Sequence, residues 1–361
     1  MPIIINVIGI DILDHFDSKS YSKNVGTFPN NRIDLFISFL KKSVLDNEAP
    51  LCTGNLLDKR QHHYAKKADG SYDNSRLVTK TGSCHLMRYT QAEAVGCFDE
   101  LYDHLLTEKS LNKPNLNLIS RKRLHIAFVG DSRIRQQFYN FLKLIPDYDR
   151  MTEPSPLPFV YDGDMEVISN LLRLRITFYW QPLIDDTVVQ LTRMWATDAE
   201  TDAPYLLVLS MALWHMLQSE GANHQLYQKK LKQLAPVLHQ LANVSQIIWL
   251  NQFPTVEFYG NINGPNTEIH TEKIHQYNVA VGRILGNQKS VRIWDSCNPL
   301  AEEYVRGCTF SQRIQYALND PSDSFFNFKD YSHAGYSALS QSTQLLLNDI
   351  CNNNRKYILR D

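Results

Sequence analysis

The sequence predicts an α/β fold in which a parallel sheet lies between two layers of helices. Short apolar runs have the character of buried strands, and they alternate along the chain with segments whose apolar residues recur at the helical period. This alternation is typical of a parallel sheet covered on both faces. The 361 residues, 43% of them hydrophobic, suffice for one large domain or two modest ones.

The predicted elements follow one another in the main part of the chain. Residues 1–110 are expected to form an N-terminal extension that packs on the core, with an amphipathic helix at 32–45 and a long polar loop at 53–82. Predicted strands cover residues 126–129, 172–180, 206–209, 247–250 and 291–294. One predicted helix begins at Ser132, and three others cover residues 225–243, 267–286 and 337–351. A Pro-rich turn is expected at residues 153–158 and an irregular insertion at residues 295–329.

Charge and hydropathy exclude several classes of protein. The formal net charge is −1, so the composition gives no indication of binding to nucleic acid or to an anionic membrane. A run of about 18 apolar residues is absent, so we expect no segment that spans a bilayer. Residues 1–11 are apolar, but they lack a basic start and include Asp11, so they are a poor signal peptide.

Six cysteines leave two interpretations open: three disulfides, or six buried thiols in a reducing compartment. They are Cys52, Cys84, Cys97, Cys297, Cys308 and Cys351. Cys297 and Cys308 are spaced so that they could pair. Because no Cys-x-x-Cys pair occurs, we expect no zinc site, and no other metal is predicted. Asn243 begins an Asn-Val-Ser glycosylation sequon, which is weak support for a secretory route.

Ser132 lies at the predicted junction between a buried strand and an amphipathic helix. Gly130 permits the sharp turn there, and Ile134, Phe138 and Phe141 share one face of the helix that follows. A hydroxyl at the carboxyl end of a strand lies where open α/β sheets bind ligands, beside helix N–H groups that stabilise an oxyanion. Ser132 is therefore a candidate nucleophile, although Gly-Asp-Ser is also an ordinary turn in which serine caps a helix.

A second pattern, near the end of the chain, supplies the partners that a serine nucleophile needs. Asp330 precedes His333 in a loop that opens the last predicted helix. A serine hydroxyl is a weak nucleophile until a base takes its proton, and a carboxylate beside that base fixes the tautomer of its imidazole. In a doubly wound sheet both loops meet at the carboxyl edge, so the sequence predicts a triad of Ser132, Asp330 and His333.

Arg133 and Arg135 occupy the first turn of the predicted helix. Cations there oppose the helix dipole at a cost of up to ~1 kcal/mol each, so their presence indicates another use. We expect Arg133 to contact a substrate anion, a carboxylate or a phosphate, with Arg135 beside it. The alternative is that both side chains point into solvent.

Residues 125–139, with the string Gly-Asp-Ser-Arg-Ile-Arg, closely resemble the catalytic domain of the sialate O-acetyltransferases, in the PC-esterase branch of the SGNH/GDSL fold. Residues 83–97, 212–214 and 272–278 add to the resemblance, as does Asp330-x-x-His333. The resemblance implies a three-layer, flavodoxin-like sheet with a disulfide-linked N-terminal extension. The resemblance spans about Cys52 to Cys351, and a connection at residues 108–122 leads into the catalytic domain expected at residues 111–361.

The resemblance also implies the chemistry. It makes Ser132 the nucleophile, His333 the base and Asp330 the residue that orients this base. Acetyl-CoA is the implied donor substrate, with no bound cofactor, and the acceptor is a hydroxyl of a sialic acid, free or CMP-activated. A location in the Golgi lumen and paired cysteines are implied as well. The membrane region of the family has no counterpart in this sequence.

The sequence departs from the family pattern around the predicted oxyanion hole. Ser210 occupies the position of a family glycine, and its backbone N–H remains a candidate donor. Tyr331 replaces a second glycine, between Asp330 and His333, and narrows the expected site. Asn251 or the adjacent Gln252 is expected as a further oxyanion donor, and the alternative for Asn251 is a simple turn-forming role.

Three functions therefore remain open from the sequence. The first is an O-acetyltransferase that works through an acetyl ester on Ser132. The second is an esterase of the same architecture that removes O-acetyl groups from carbohydrates. The third is a carbohydrate-binding relative without activity, which an unsuitable distance between Ser132 and His333 would favour.

Overall fold

The computed structural model describes residues 49–54, 64–66, 68, 72–79, 82–112, 123–158, 161–197, 202–217, 223–255, 269–286, 290–295, 298, 301, 333 and 336–358. Its strands are β1 (Tyr64–Lys66), β2 (Tyr72–Thr79), β3 (Gly82–His85), β4 (Leu124–Gly130), β5 (Met151–Glu153), β6 (Met165–Ser169), β7 (Leu174–Trp180), β8 (Leu206–Ser210), β9 (Gln246–Leu250) and β10 (Val291–Trp294). Its helices are α1 (Gln91–Asn112), α2 (Ser132–Leu142), α3 (Asp186–Thr197), α4 (Leu213–Met216), α5 (His224–Leu241), α6 (Thr271–Leu285) and α7 (Tyr336–Ile358).

The main sheet of the described chain has the strand order β10-β9-β8-β4-β7-β6-β5. The strands from β10 to β7 run parallel, which confirms the predicted α/β fold. β6 and β5 add an antiparallel edge that was not predicted. These two strands have only 5 and 3 residues, too few for hydrophobic periodicity to reveal them.

Successive residues of the central strand β4 point into two separate cores. Ile126 and Phe128 pack with residues of α1, α2 and α7 on one face of the sheet. Ala127 and Val129 pack with residues of α3, α4, α5 and α6 on the other face. Because β4 is buried on both faces, it has the continuous apolar sequence of a central parallel strand. Helices therefore cover both faces, and the predicted three-layer arrangement is confirmed.

The predicted helices lie close to their expected bounds. Those expected at 225–243, 267–286 and 337–351 are α5, α6 and α7, and α7 continues to Ile358. α1 and α3 were not predicted. The helix predicted at residues 32–45 lies outside the described residues. Within the described part of the chain, no helix is both long enough and apolar enough to cross a membrane.

The prediction of a loop at residues 53–82 was wrong in part, because β1, β2 and β3 form a small antiparallel sheet there. The polar residues of this segment show no apolar alternation, so its sequence has the composition of a loop. Backbone pairing between neighbouring strands nevertheless satisfies the N–H and carbonyl groups. Such a strand forms because it pairs with a neighbouring strand, and the composition of the segment alone does not reveal that pairing.

The N-terminal segment is attached to the terminal helix α7 by side-chain amides. Asn348 accepts a hydrogen bond from Met87 N at 2.9 Å and donates to Met87 O at 2.7 Å. Gln344 makes the same double contact with Tyr89, at 2.6 Å and 2.8 Å. Residues four apart share one face of a helix, so this row of amides acts like the edge of a neighbouring strand.

Two disulfides reinforce the attachment of the N-terminal segment. Cys52 pairs with Cys84, and Cys97 on α1 pairs with Cys351 on α7. The disulfide-linked N-terminal segment predicted from the resemblance is therefore confirmed. Phe98 on α1 also contacts Phe141 on α2, with ring centroids 5.5 Å apart. α1 thus shares a core with the main sheet, and the predicted division of the chain at residue 110 stays a prediction.

Candidate active site

Ser132 and His333 meet at the carboxyl edge of the sheet. The distance from His333 Nε2 to Ser132 Oγ is 2.7 Å, although 201 residues separate them in the chain. Ser132 is the first residue of α2 and follows β4 almost directly. Both side chains remain partly accessible to solvent. The arrangement places a hydroxyl in direct contact with a base, as activation of a serine requires.

Gly130 makes the turn before Ser132 possible because the chain is crowded there. A Cβ atom at Gly130 would lie 2.2 Å from the carbonyl oxygen of Ser210 and 2.7 Å from Ile134 Cγ1. The carbonyl oxygen of Ser210 belongs to the backbone of β8, so it cannot move without a shift of the strand. Any larger residue would therefore push β4 away from β8 and displace Ser132.

Asp131 is a fully buried carboxyl group directly before the serine. Its Oδ1 accepts a hydrogen bond from Arg133 N at 3.0 Å, so it caps α2. Burial raises the pKa of the Asp131 carboxyl, an effect that the charges of Arg133 and His333 oppose. The cap fixes the start of the helix, and with it the position of Ser132.

Arg133 occupies a different place from the one predicted. Its side chain is buried, and Nη1 donates to Gln252 Oε1 at 3.0 Å and to the carbonyl of Phe253 at 2.6 Å. The guanidinium also lies 3.9 Å from the centroid of the Phe253 ring. These contacts account for a buried arginine without a substrate anion and tie α2 to the segment after β9. The expectation that Arg133 points into solvent is wrong, and its contact with an anion stays a prediction.

Gln252, a candidate for the oxyanion hole, links Ser210, another candidate, to Arg133. Its Nε2 donates to Ser210 Oγ at 2.8 Å while its Oε1 accepts from Arg133. Asn278 holds the backbone of Gln252 on both sides, accepting from Gln252 N at 3.0 Å and donating to Gln252 O at 2.7 Å. Gln252 is thus fixed between strands β8 and β9 and helices α2 and α6.

The oxyanion roles of Ser210, Asn251 and Gln252 stay predictions. Ser210 is the last residue of β8 and is buried. Asn251 donates its backbone N–H to Trp294 O at 2.9 Å, and its buried Oδ1 has no hydrogen-bond partner among the described residues. The amide of Asn251 is therefore less constrained than that of Gln252.

Arg135 lies on the partly exposed face of α2 with Ser132. Its Nη1 bonds to Asp162 Oδ1 at 2.6 Å and to the carbonyl of Tyr161. Its guanidinium lies 5.2 Å from the centroid of the Trp180 ring. Arg135 therefore packs against Trp180 on the helix face that carries Ser132. The carboxylate of Asp162 balances the charge of its guanidinium. Contact with a substrate anion stays a prediction for Arg135 too.

Some site residues were not identified from the sequence. Phe253, Asn278 and Trp180 surround the predicted ones, and Asn298 adds a hydrogen bond to Gln252 O at 3.1 Å. Asn278 belongs to the segment 272–278 that carried the family resemblance, but no local pattern indicated its function. These residues come from distant parts of the chain, so their proximity was not visible in the sequence.

Several predicted residues cannot be placed. Asp330, Tyr331, Cys297 and Cys308 lie outside the described residues, so the orientation of His333 by Asp330 stays a prediction. Asn243 is exposed in the turn after α5, and its glycosylation stays a prediction. Among the described residues, no three His, Cys, Asp or Glu side chains converge as a metal site.

Comparison with known proteins confirms the resemblance found in the sequence. The chain is 28% identical, over 306 residues and 80% of its length, to the N-acetylneuraminate (7)9-O-acetyltransferase of Danio rerio. The match spans about a third of that relative, 32% of its length. No family model matches the chain.

Solved structures are more distant. An acetylxylan esterase from Geobacillus stearothermophilus is 14% identical, with a TM-score of 0.33, 63% of this chain covered and 94% of that chain. A peptidoglycan O-acetylesterase is 10% identical, with a TM-score of 0.38, 75% of this chain covered and 99% of that chain. At these scores neither structure adds to the fold described above. The chain is thus similar in sequence to a sialate O-acetyltransferase and has a serine–histidine pair at the carboxyl edge of its sheet.

Proposed function

We propose that this chain is an O-acetyltransferase domain, which moves an acetyl group from acetyl-CoA to a hydroxyl of a sialic acid. The observation that carries the proposal is the 2.7 Å contact between Ser132 Oγ and His333 Nε2. The similarity to the acetyltransferase of Danio rerio supports the acetyl group and the sialic acid as substrates. The contact disfavours a binding protein without activity, because such a protein has no need of a paired nucleophile and base.

The first half-reaction forms an acetyl ester on Ser132. His333 Nε2 takes the hydroxyl proton as Ser132 Oγ attacks the thioester carbonyl of acetyl-CoA. The tetrahedral intermediate collapses with cleavage of the carbon–sulfur bond, and the imidazolium of His333 returns its proton to the leaving thiolate. CoA departs as the thiol, and the acetyl group remains on the serine.

The second half-reaction transfers the acetyl group to the acceptor. A sialic acid hydroxyl gives its proton to His333 and attacks the ester carbonyl, and the imidazolium protonates the departing Ser132 Oγ. The backbone N–H of Ser132 at the start of α2, with Ser210 and Asn251 or Gln252, supplies the proposed oxyanion hole. Asp330 is the proposed partner that keeps His333 in the required tautomer.

A location in the Golgi lumen and a glycan on Asn243 belong to the same proposal. Two disulfides fit a chain that folds in an oxidising compartment. Asn243 is exposed in a turn, where an attached glycan would not disturb the core.

The experiment is a search for the acetyl-enzyme. The purified protein is mixed with isotopically labelled acetyl-CoA, digested and analysed by mass spectrometry, with Ser132→Ala and the matched control Ser340→Ala in parallel. We expect a labelled acetyl group on the peptide that contains Ser132, its loss in Ser132→Ala and its retention in Ser340→Ala. Absence of the label from the wild-type protein, together with an absence of product, would refute the proposal.

The same mixture distinguishes transfer from hydrolysis. CMP-activated and free N-acetylneuraminic acid are added separately, and acetylated sugar and free acetate are measured. Acetylated sugar in amounts that exceed free acetate supports the transferase. If only free acetate forms, water resolves the acetyl-enzyme and the chain is an esterase of the same architecture.

A further inference from the structure

Two tryptophans meet above the sheet edge that carries Ser132. Trp180 ends β7, and Trp214 lies in the short helix α4 that follows β8. Their ring centroids are 5.9 Å apart, with an edge-to-face angle of 88°. Both rings are only partly buried. Tryptophan, with an apolar ring and a polar N–H, is enriched at binding interfaces, so a pair that remains in part accessible can take a ligand.

The strand register places this pair beside the serine. β7 and β8 flank β4 on either side, and Trp180 and Ser210 are the register partners of Gly130. Gln181 N also donates to Gly130 O at 2.9 Å, which holds the end of β7 against the turn that carries Ser132. Trp180 packs with one core of the protein and Trp214 with the other, so the pair crosses the sheet edge.

Helix α2 adds a polar side to the aromatic pair. Ser132, Arg135, Gln136 and Tyr139 are its partly exposed positions, and their spacing puts them on one face. The Arg135 guanidinium lies 5.2 Å from the Trp180 ring centroid and pairs with Asp162, while Tyr161 beside it is 40% exposed. Trp180 therefore contacts both Trp214 and the arginine of the ion pair, and the register places it next to the turn that carries Ser132.

The charge of this surface indicates which part of a ligand it fits. Arg135 and Asp162 together have no net charge, so they do not favour an anion. They present donors and an acceptor side by side, which is the complement of a sugar hydroxyl. Aromatic faces pack against the C–H groups of a sugar ring and against an N-acetyl methyl group.

We propose that Trp180, Trp214 and the Arg135–Asp162 pair form the acceptor subsite, and that they hold the uncharged hydroxyl and N-acetyl side of the sugar. The sugar carboxylate points away from this subsite. The inference rests on the proposed function for the identity of the sugar. It differs from the sequence-based expectation for Arg135, which assigned that side chain to an anion.

The kinetic test compares three Trp→Phe substitutions and two Trp→Ala substitutions. Trp180→Ala and Trp214→Ala should each raise the KM for N-acetylneuraminic acid about tenfold and leave the KM for acetyl-CoA within about twofold. Trp180→Phe and Trp214→Phe keep a ring and should give smaller increases, which also covers the case in which an alanine variant does not fold. The control is Trp195→Phe, a buried tryptophan of α3 outside the proposed subsite, which should leave both KM values unchanged.

A second measurement tests the orientation of the sugar. The methyl ester of N-acetylneuraminic acid should be bound as well as the acid, since the carboxylate does not contact the subsite. Binding is followed by saturation-transfer NMR on the Ser132→Ala protein, which needs no catalysis. This binding signal, lost in Trp180→Ala, would support the subsite even if the acetyl-enzyme were never found.

Two results would overturn the inference. Unchanged acceptor KM values in folded Trp180→Ala and Trp214→Ala would show that the pair does not bind the acceptor, whether or not Ser132 is acetylated. Binding that is lost on esterification of the carboxylate would show that the surface holds the anionic side instead.

Discussion

Helix α7 and the contact between Ser132 and His333 are stabilised in very different ways. Helix α7 joins the N-terminal segment through amide pairs at Asn348 and Gln344 and through the Cys97–Cys351 disulfide. At the catalytic edge, a single hydrogen bond joins Ser132 to His333. Several bonds therefore attach α7 to the N-terminal segment, so the loss of one leaves the others in place. The contact between Ser132 and His333 depends on a single hydrogen bond.

The two regions are nevertheless connected through the chain. α7 begins at Tyr336, only three residues after His333. A helix that is fixed by a disulfide and by buried amides limits where its preceding residues can lie, and a reactive pair needs such support to stay within hydrogen-bonding distance. We infer that the redundant contacts of α7 stabilise the position of the histidine.

The largest effect is expected when His333, the proposed base, is replaced. His333→Gln should lower kcat for acetyl transfer by about 10⁴-fold or more, because Ser132 loses the group that takes its proton. The urea midpoint of unfolding should hardly change, since the contacts of α7 remain. Kinetics and urea unfolding are measured on the same preparation, with the exposed His239→Gln as control. Activity within tenfold of wild type would exclude His333 as the base.

Removal of a disulfide should lower the free energy of unfolding more than any other substitution considered for α7. Cys97–Cys351 closes a loop of 254 residues, and loss of the bridge in Cys97→Ser/Cys351→Ser should cost about 5 kcal/mol. Cys52–Cys84 closes only 32 residues, so Cys52→Ser/Cys84→Ser should cost about 1–2 kcal/mol less. Urea unfolding gives both values. If kcat falls only in the first variant, the support of His333 by α7 is confirmed; equal losses of stability would contradict the loop argument.

A single amide of α7 should have a smaller effect. Asn348→Leu removes both hydrogen bonds to the backbone of Met87 in a buried place, at an expected cost of about 2–3 kcal/mol. Ser340→Ala, on the same helix, serves as control and should change stability by less than about 0.5 kcal/mol. If Asn348→Leu left the free energy of unfolding unchanged, the amide row would position the N-terminal segment without stabilising the fold.

The strand–helix junction at Ser132 could be predicted because local sequence determines it. Buried strand β4 has an uninterrupted apolar run, and α2 has apolar residues at the helical period. Ser132 between them needed no information from elsewhere in the chain. The helices α5 and α6 were found for the same reason.

The surroundings of Ser132 could not be predicted because distant segments supply them. Arg133 was expected to meet a substrate anion, because a cation in the first turn of a helix opposes the helix dipole. Its partners Gln252 and Phe253 lie 119 and 120 residues further along the chain. Likewise, Asn348 lies 261 residues from the backbone that it pairs with. Hydrophobic periodicity reports which face of an element is buried, but not which polar groups meet there.

Acid should weaken the fold through two buried histidines that are held neutral. His125 Nδ1 lies 2.9 Å from the carbonyl of Asp202, which only accepts, so Nδ1 carries the proton and Nε2 accepts from Thr177 Oγ1. His215 Nε2 accepts from Ile184 N at 2.8 Å. Burial, aided by Arg175 and opposed by Asp202, lowers the pKa of His125 to about 4. Burial lowers the pKa of His215 to about 4 as well, against the charge of Asp185.

The direction of the pH effect follows from these lowered pKa values. The unfolded chain binds protons below the ordinary histidine pKa of about 6.5, whereas the fold resists them down to about pH 4. Stability from this source is therefore complete above pH 6.5 and is lost as the pH falls toward 4. At pH 5 each histidine should cost about 2 kcal/mol relative to pH 7.5. Urea unfolding at both values measures the sum.

A matched pair of variants assigns this acid effect to the interior. His215→Gln should flatten the decline in stability by about 2 kcal/mol between pH 7.5 and 5, because it removes one group that protonates on unfolding. The exposed His239→Gln should leave the decline unchanged. If His215→Gln and His239→Gln gave the same pH dependence, protonation of the buried imidazole would not be the cause. The decline would then have to come from other groups, among them His125.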